Sequence, residues 1–211
     1  MTPMKQFYEK QANTIIRHLE KRNITGYYCP DCASAVEKAL SIIEDGSTVS
    51  WGGSMSLKEC GLMDALKSAP VTLWDRSTAK TPEETKAIYR QSFSADYYLM
   101  SSNAITLDGQ LVNIDGNGNR VAALSFGPEH ILMIIGMNKV TKTVEEAIDR
   151  VHNVAAPPNA VRLNSDTPCG ITGVCADCLS PQCLCAQVLV TRYSRVPGRI
   201  QVILVGESLG Y

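Results

Sequence analysis

The sequence predicts a three-layer α/β fold, in which a mainly parallel sheet carries helices on both faces. Short apolar runs that suit buried strands alternate along the chain with segments whose apolar residues recur at helical spacing. This alternation is typical of parallel sheets, and glycine-rich turns lie where such sheets bind ligands, at the carboxyl ends of strands. With 211 residues and 45% hydrophobic content, the chain has material for one domain over residues 1–211.

In the first half of the chain, a charged surface helix is followed by three strands with helices between them. Asp31 is a good N-cap for the second helix. Thr81-Pro82-Glu83-Glu84 starts a later helix, because it joins a cap residue to a first-turn proline and two acids. The predicted elements are helices within 2–22, over 31–43, after Gly52-Gly53-Ser54 and over 81–93, and strands over 26–29, 48–51 and 71–74.

The second half of the chain continues with buried strands over 97–100 and 131–136 and a helix over 144–151. After His152 we expect a long irregular stretch, because prolines at 157, 158, 168 and 181 interrupt it. Two last strands, over 188–193 and 200–205, flank Val196-Pro197-Gly198 and are predicted to form a hairpin that finishes the sheet.

Charge and hydropathy exclude two classes of partner. The formal net charge is −1, from 20 basic and 21 acidic residues, so we expect no nucleic-acid partner. The longest apolar run, 131–137, is far shorter than the ~20 residues of a membrane-spanning helix. The N-terminal residues are charged throughout and lack the apolar core of a secretory signal, so a cytoplasmic location is expected.

The cysteine-rich segment, residues 167–186, predicts a metal site. Five of the eight cysteines lie between Cys169 and Cys185, whereas a disulfide scaffold would spread them along the chain. Cys175 and Cys178 have the spacing of a pair that grips one centre, and Cys169 and Cys185 are plausible outer ligands. Gly170 and Gly173 let the backbone fold around that centre. A fifth thiol, Cys183, leaves a choice of four.

The identity of the metal stays open at this point. Thiolates suit zinc and iron–sulfur clusters alike. A single cysteine, a close pair and a later cysteine are more usual for a cubane cluster than for the two short knuckles of a zinc site. The sequence therefore predicts an iron–sulfur cluster of the 4Fe–4S type, with structural zinc or free thiols as the alternatives.

A candidate ligand pocket follows from the turns that end the predicted strands. Gly52, Gly53 and Ser54 lie at a strand-to-helix turn, where free amides and the helix dipole favour a phosphate or carboxylate. The alternative is a tight turn that needs glycine for its dihedral angles. The remaining candidates are polar residues near strand ends that would contact a small anionic metabolite, namely Ser102, Asn103, Asp108, Asn138 and Lys139.

Three other features of the sequence support weaker interpretations. Cys29-Pro30-Asp31-Cys32 resembles a redox-active pair at a helix N-terminus, where the dipole would lower the pKa of the first thiol. Incidental thiols are the favoured interpretation of that pair, and Cys60 is expected in the core. The three histidines, His18, His130 and His152, are expected to be structural.

Several motifs resemble the lactate-utilisation, or LUD, domain family. They are residues 51–57, 101–109, 111–120, 136–140, 156–160 and the cysteine segment, followed by the tail 209–211. The resemblance implies a fold like that of ribose-phosphate isomerase, glucosamine-phosphate deaminase and the CoA-transferases. It also implies a role in oxidising lactate to pyruvate beside other iron–sulfur and oxidoreductase subunits. In its cysteine-bearing branch, the pattern matches Cys169, Cys175, Cys178 and Cys185, which makes Cys183 the doubtful ligand.

The function that we expect is a redox component of lactate or related hydroxy-acid metabolism. A metabolite-binding or regulatory module with a structural metal is the second hypothesis. The third is an isomerase or transferase that uses Asp108 or Asp115 for acid–base chemistry. Whether the protein catalyses a reaction alone stays open, and a homo-oligomer is compatible with each hypothesis.

Overall fold

A computed structural model describes residues 2–211. Its helices are α1 (Pro3–Glu20), α2 (Cys32–Ile42), α3 (Met55–Glu59), α4 (Leu62–Ala65), α5 (Pro82–Gln91), α6 (Asn119–Ser125), α7 (Val144–Arg150), α8 (Ala156–Arg162) and α9 (Pro168–Thr172). Its strands are β1 (Thr25–Cys29), β2 (Thr48–Trp51), β3 (Thr72–Trp74), β4 (Tyr97–Met100), β5 (Ala104–Thr106), β6 (Leu111–Asp115), β7 (His130–Gly136), β8 (Val140–Thr141), β9 (Gln187–Thr191) and β10 (Ile200–Val205).

The predicted α/β fold is confirmed. Six strands form a sheet in the order β1-β10-β7-β4-β2-β3, and every neighbouring pair in it is parallel. A second sheet of four strands, β8-β5-β6-β9, is mixed. Its strands β8 and β5 are parallel, whereas β6 runs antiparallel to β5 and to β9. Within residues 2–211, no helix has both the length and the apolar character needed to cross a bilayer.

Helices cover both faces of the six-stranded sheet, as predicted. Alternate residues of each strand point to opposite faces. Met100 and Met133 pack with Ile15 of α1 on one face. Their chain neighbours Leu99 and Ile134 belong to the core on the other face, which includes residues of α2. The three layers therefore follow from this alternation in β4 and β7.

Two of the predicted helix starts are confirmed in detail. The Asp31 carboxylate accepts a hydrogen bond of 2.9 Å from the Ser34 amide at the start of α2. The Thr81 hydroxyl accepts one of 3.1 Å from the Glu84 amide, and Pro82 lies in the first turn of α5. Each cap satisfies an amide that has no partner within the helix.

The predicted irregular stretch after His152 is wrong at its beginning. The chain continues α7 through one π-helical turn, Val151–Ala155, and then through α8. Pro157 and Pro158 lie in the first turn of α8, where a missing amide hydrogen removes no hydrogen bond within that helix. The prolines therefore mark a helix start rather than a loop.

The predicted C-terminal hairpin is also wrong. Strand β9 pairs with β6 in the small sheet, whereas β10 lies between β1 and β7 in the large sheet. The continuous apolar run Ile200–Val205 suits a central parallel strand that is buried on both faces. All five residues of β9 are only partly buried or exposed, as befits the edge of a small sheet.

Candidate functional site

A cavity of about 370 Å³ lies at the carboxyl ends of β2, β4 and β7. The turn after β2 contributes Gly53 and Ser54, the turn after β4 contributes Ser101–Asn103, and the 3₁₀ turn after β7 contributes Lys139. This is the edge at which open parallel sheets bind their ligands. The volume suits a small metabolite.

The charges that line this cavity favour an anion. Four basic side chains, Arg76, Arg120, Lys139 and Arg162, line it together with one carboxylate, that of Asp115. That carboxylate is already engaged, because its Oδ2 accepts a hydrogen bond of 2.8 Å from the amide of Arg120 at the start of α6. An incoming anion therefore meets a net positive surface, and we call this space the cationic cavity.

The glycine pair makes room for two of the arginines. A Cβ atom on Gly52 would lie 2.5 Å from Cγ of Arg120, and one on Gly53 would lie 3.1 Å from Nη2 of Arg76. Neither glycine has a positive φ. The glycines are therefore needed for space and not for dihedral angles, which corrects the tight-turn alternative.

Arg120 is held by its neighbours. Its Nη2 donates to Asn103 Oδ1 at 3.1 Å and to the Ile114 carbonyl at 2.7 Å. Its Nε lies 3.8 Å from the Asp115 carboxylate. Within residues 2–211, Nη1 of Arg120 makes no hydrogen bond. Asn103 therefore orients Arg120, while one face of the guanidinium stays available to a ligand.

Lys139 lines the cavity and is only 4% exposed. Its Nζ donates to Ser56 Oγ at 2.8 Å and to Ser101 Oγ at 3.2 Å. Burial, followed by the charges of Arg150 and Arg120, lowers the pKa of Lys139 to about 7, against a smaller opposing effect of Glu59. Lys139 is thus a polar group in the interior rather than a lysine exposed to solvent.

The structure brings together most of the predicted ligand-binding residues. Five of them line the cavity, namely Gly53, Ser54, Ser102, Asn103 and Lys139. Two are committed to the fold, because Ser102 Oγ donates to Ala104 O and Ser54 Oγ accepts from the Leu57 amide. The helix after Ser54 has only five residues, so a large dipole effect is not expected there.

Three predicted residues do not line the cavity. Gly52 lies behind Arg120, as described above. Asp108 lies in the β5–β6 turn, where its carboxylate forms an ion pair of 2.6 Å with Arg22. Asn138 holds the C-terminal tail: its Oδ1 accepts from the Leu209 amide at 3.1 Å, and its Nδ2 donates to the Gly210 carbonyl at 3.4 Å. Asp108 and Asn138 are therefore structural in this fold.

A second cavity, of about 330 Å³, is lined by all five cysteines of the cysteine-rich segment. Helix α9 carries Cys169 and is capped by Thr167, whose Oγ1 accepts from the Gly170 amide at 3.2 Å. Gly173 ends that helix with a φ of 75°, and Asp177, between Cys175 and Cys178, has a φ of 47°. These left-handed residues turn the chain sharply, so that the thiols face one space.

The five thiols differ in their surroundings. Burial raises the pKa of Cys185 to about 12, and the other four thiols add to this shift. Hydrogen bonds with the hydroxyl and amide of Ser180 lower the pKa of Cys178. Cys183 lies among the others, since its Sγ accepts from the Cys185 amide at 3.3 Å. The cavity therefore contains the predicted four cysteines and also the doubtful fifth.

The thiols surround the cavity without meeting at one point. Within residues 2–211, no three His, Cys, Asp or Glu side chains are arranged to hold a single metal ion. A zinc ion would need four donors within about 2.3 Å of one centre. A donor set of cysteine thiols spread around a cavity is compatible with a larger iron–sulfur body.

The two cavities share a wall. Ala156 and the segment Cys183–Cys185 line both of them. Gly116 lets this segment approach, because a Cβ at that position would lie 3.1 Å from the Cys183 carbonyl oxygen. A ligand in the cationic cavity and a metal centre among the thiols would thus be direct neighbours.

Among the lining residues that sequence reasoning did not assign to these cavities are Arg76, Arg120, Arg162 and His152. Arg120 lies at the end of the family-like motif 111–120, and that position was the available signal. Arg76 and Arg162 follow no motif. His152, expected to be structural, lines the cysteine cavity, and its buried Nε2 has no hydrogen-bond partner within residues 2–211.

The Cys29–Cys32 pair does not have the chemistry of a reactive thiol pair. Burial raises the pKa of Cys29. Burial and the adjacent Glu207 carboxylate raise the pKa of Cys32 to about 12, and the Cys32 thiol donates to Glu207 Oε2 at 2.8 Å. The pKa of Cys29 is therefore not lowered as a redox-active pair would require, which agrees with the favoured interpretation of incidental thiols. Cys60 is buried in the core, as expected.

The fold and the two cavities define a class of α/β proteins with a cationic cavity beside a cysteine-lined one. The LUD domain family model matches residues 12–205, and the chain belongs to that family. No curated protein matches the sequence.

Two solved structures are similar to the chain. A DUF162 family protein from Deinococcus radiodurans has a TM-score of 0.51 at 16% identity, over 94% of this chain and 98% of its own. The second, eIF2B delta from Chaetomium thermophilum, has a TM-score of 0.34 at 17% identity, over 68% of this chain and 54% of its own. The first similarity supports the fold.

Proposed function

We propose that the protein binds a small carboxylate of hydroxy-acid metabolism, lactate or pyruvate, beside an iron–sulfur cluster, as a redox component of lactate oxidation. The observation that carries this proposal is the wall shared by the cationic and cysteine-lined cavities, formed by Ala156 and Cys183–Cys185. Membership of the LUD domain family supports the metabolic setting and the expectation of partner subunits from the same pathway.

The anionic ligand is supported by the arginines. Within residues 2–211, Nη1 of Arg120 and Nη2 of Arg76 make no hydrogen bond, although both side chains line the cavity. Arginine binds carboxylates through paired N–H donors. A ligand with one carboxylate and little bulk would use these donors without displacing the contacts that hold Arg120 in place.

The cluster is supported by the donor set. Cys169, Cys175, Cys178 and Cys185 would hold it, and bound iron and sulfide would supply one-electron transfer. Cys183 would then remain a neighbour whose sulfur accepts the Cys185 amide hydrogen. A cluster held in this way would be separated from the carboxylate ligand by the shared wall, formed by Ala156 and Cys183–Cys185.

The cluster is tested by anaerobic purification followed by iron, sulfide and zinc analysis. We expect about four irons and four sulfides per chain, with a broad visible absorption band. Cys178→Ala should lose both, whereas Cys60→Ala, which removes a thiol from the core away from the cavity, should retain them. One zinc without sulfide would contradict the proposed cluster and its redox role.

The anionic ligand is tested by calorimetry with lactate and pyruvate. Arg76→Gln should weaken binding about tenfold or more, because it removes a charged donor that makes only one long hydrogen bond, of 3.4 Å, within the protein. Arg195→Gln, an exposed arginine outside the cavity, is the matched control. Equal binding by the two variants would refute the assigned ligand position.

A further inference from the structure

The surroundings of Lys139 are unusual for a lysine that only attracts an anion. Its side chain is buried, and within residues 2–211 it forms no ion pair. Its two hydrogen bonds go to hydroxyl groups, those of Ser56 and Ser101. A permanently charged ammonium would be expected to have a carboxylate partner in such a place.

The hydroxyl groups fix the direction of both hydrogen bonds. Ser56 Oγ donates its hydrogen to the Leu209 carbonyl at 3.2 Å, and Ser101 Oγ donates its own to the Ser102 carbonyl at 3.2 Å. Each hydroxyl therefore accepts from Lys139. A neutral amine has two N–H bonds for these two acceptors and keeps its lone pair, whereas the third N–H of an ammonium would have no acceptor among residues 2–211.

The neighbouring positive charges also favour the neutral amine of Lys139. Arg120 and Arg150 disfavour a second positive charge at Lys139, and Glu59 offsets them only partly. Desolvation and a neighbouring cation are the two means by which lysines become nucleophiles near neutral pH. Lys139 also lines the cavity, so a ligand bound there would lie beside this side chain.

We propose that Lys139 forms a Schiff base with a 2-oxo acid bound in the cationic cavity. This inference rests on the proposed function, in which Arg76 and Arg120 bind the carboxylate of the ligand. A ligand anchored in this way would carry its ketone carbon next to the carboxylate, in the same cavity as the amine. A 2-hydroxy acid has no ketone and would bind there without forming a covalent bond.

The chemical step is balanced without an oxidant or reductant. The lone pair of Nζ adds to the ketone carbon and forms a C–N bond as the C=O π bond breaks, and one of the two protons of the amine moves to the ketone oxygen. The carbinolamine then loses that oxygen as water, together with the remaining hydrogen of the nitrogen, and a C=N bond results. The hydroxyls of Ser56 and Ser101, which accept hydrogen bonds from Nζ, hold the amine in place for this step.

The test is reductive trapping on the full chain. The protein is incubated with pyruvate and sodium cyanoborohydride, and the adduct is located by intact mass and peptide mapping. We expect one reduced adduct, on Lys139, and none with lactate. Lys139→Arg and Lys139→Met should abolish it, whereas Lys142→Arg, at an exposed position, should retain it.

The outcomes separate this inference from the proposed function. If calorimetry shows pyruvate binding but wild-type protein yields no adduct on Lys139, the Schiff base is overturned and the carboxylate site stands. Adducts spread equally over surface lysines would also overturn it. If neither pyruvate nor lactate binds and no adduct forms, both proposals fail. Because mapping of the wild-type chain decides each case, misfolding of a variant cannot obscure the result.

Discussion

At the scale of single residues, uncharged neighbours determine where the charged side chains of the cationic cavity lie. Gly52 leaves the space that Cγ of Arg120 fills, and Asn103 turns that guanidinium toward the ligand side. Sequence reasoning identified Gly52 and Asn103 but assigned them to the ligand itself. Arg120 was not predicted, because the local sequence does not show which distant side chain fills the space that a glycine leaves.

Lys139 should leave a signature in the pH dependence of stability. Its pKa is lowered from 10.5 to about 7 in the folded protein, so between these values the unfolded chain binds a proton that the folded chain does not. Stability then rises with pH in this window, by up to about 1.4 kcal/mol per pH unit. Below pH 7, Lys139 is charged in both the folded and the unfolded state, so the free-energy cost of burying its charge does not vary with pH.

Lys139→Met should remove this dependence. The difference in unfolding free energy between the wild type and the variant, measured by denaturant titration, should change between pH 7 and 10.5, in favour of the wild type as pH rises. Other groups that titrate in this range are common to both proteins and cancel in the difference. Lys142→Met is the control at an exposed position. A difference that does not vary with pH would contradict the lowered pKa.

At the scale of elements, caps and strand positions were predictable because their signals are local. Asp31 and Thr81 cap helices through bonds within three residues along the chain. The hairpin of β9 and β10 was mispredicted because local sequence does not report which sheet a strand joins. The prolines at 157 and 158 gave a local signal, but they begin a helix instead of breaking one.

The C-terminal tail should control access to Lys139. Gly210 and Tyr211 line the cationic cavity, and Asn138 holds the tail through Leu209 and Gly210. Asn138→Ala removes both hydrogen bonds, so the tail should open more often and expose the amine.

The measurement is the rate at which an amine-reactive reagent labels Lys139, located by peptide mapping. We expect a several-fold increase in Asn138→Ala, with a cooperative melting transition retained. Asn153→Ala, which loses hydrogen bonds to Asp149 on an exposed helix face, is the matched control. An unchanged labelling rate in Asn138→Ala would show that the tail does not cover the amine.

At the scale of the whole molecule, the α/β class was predictable and the strand order was not. The alternation of strand and helix patterns is enough to indicate a parallel sheet with helices on both faces. The order β1-β10-β7-β4-β2-β3 depends on pairings between distant residues, such as Thr25 with Gln201. The same is true of the shared wall, which joins the segments around Cys183 and Gly116. Cytoplasmic location, one domain over 1–211 and a homo-oligomer stay predictions.

The position of β10 affects how the protein is made in the cell. Within residues 2–211, the only strand that pairs with β1 in the large sheet is β10, so β1 stays unpaired during synthesis until residues 200–205 have left the ribosome. The strands made between β1 and β10 would bury apolar surface first, and an open strand edge would stay exposed for roughly ten seconds or longer. A chaperone that shields this edge during translation would therefore protect the chain when it is most prone to aggregate.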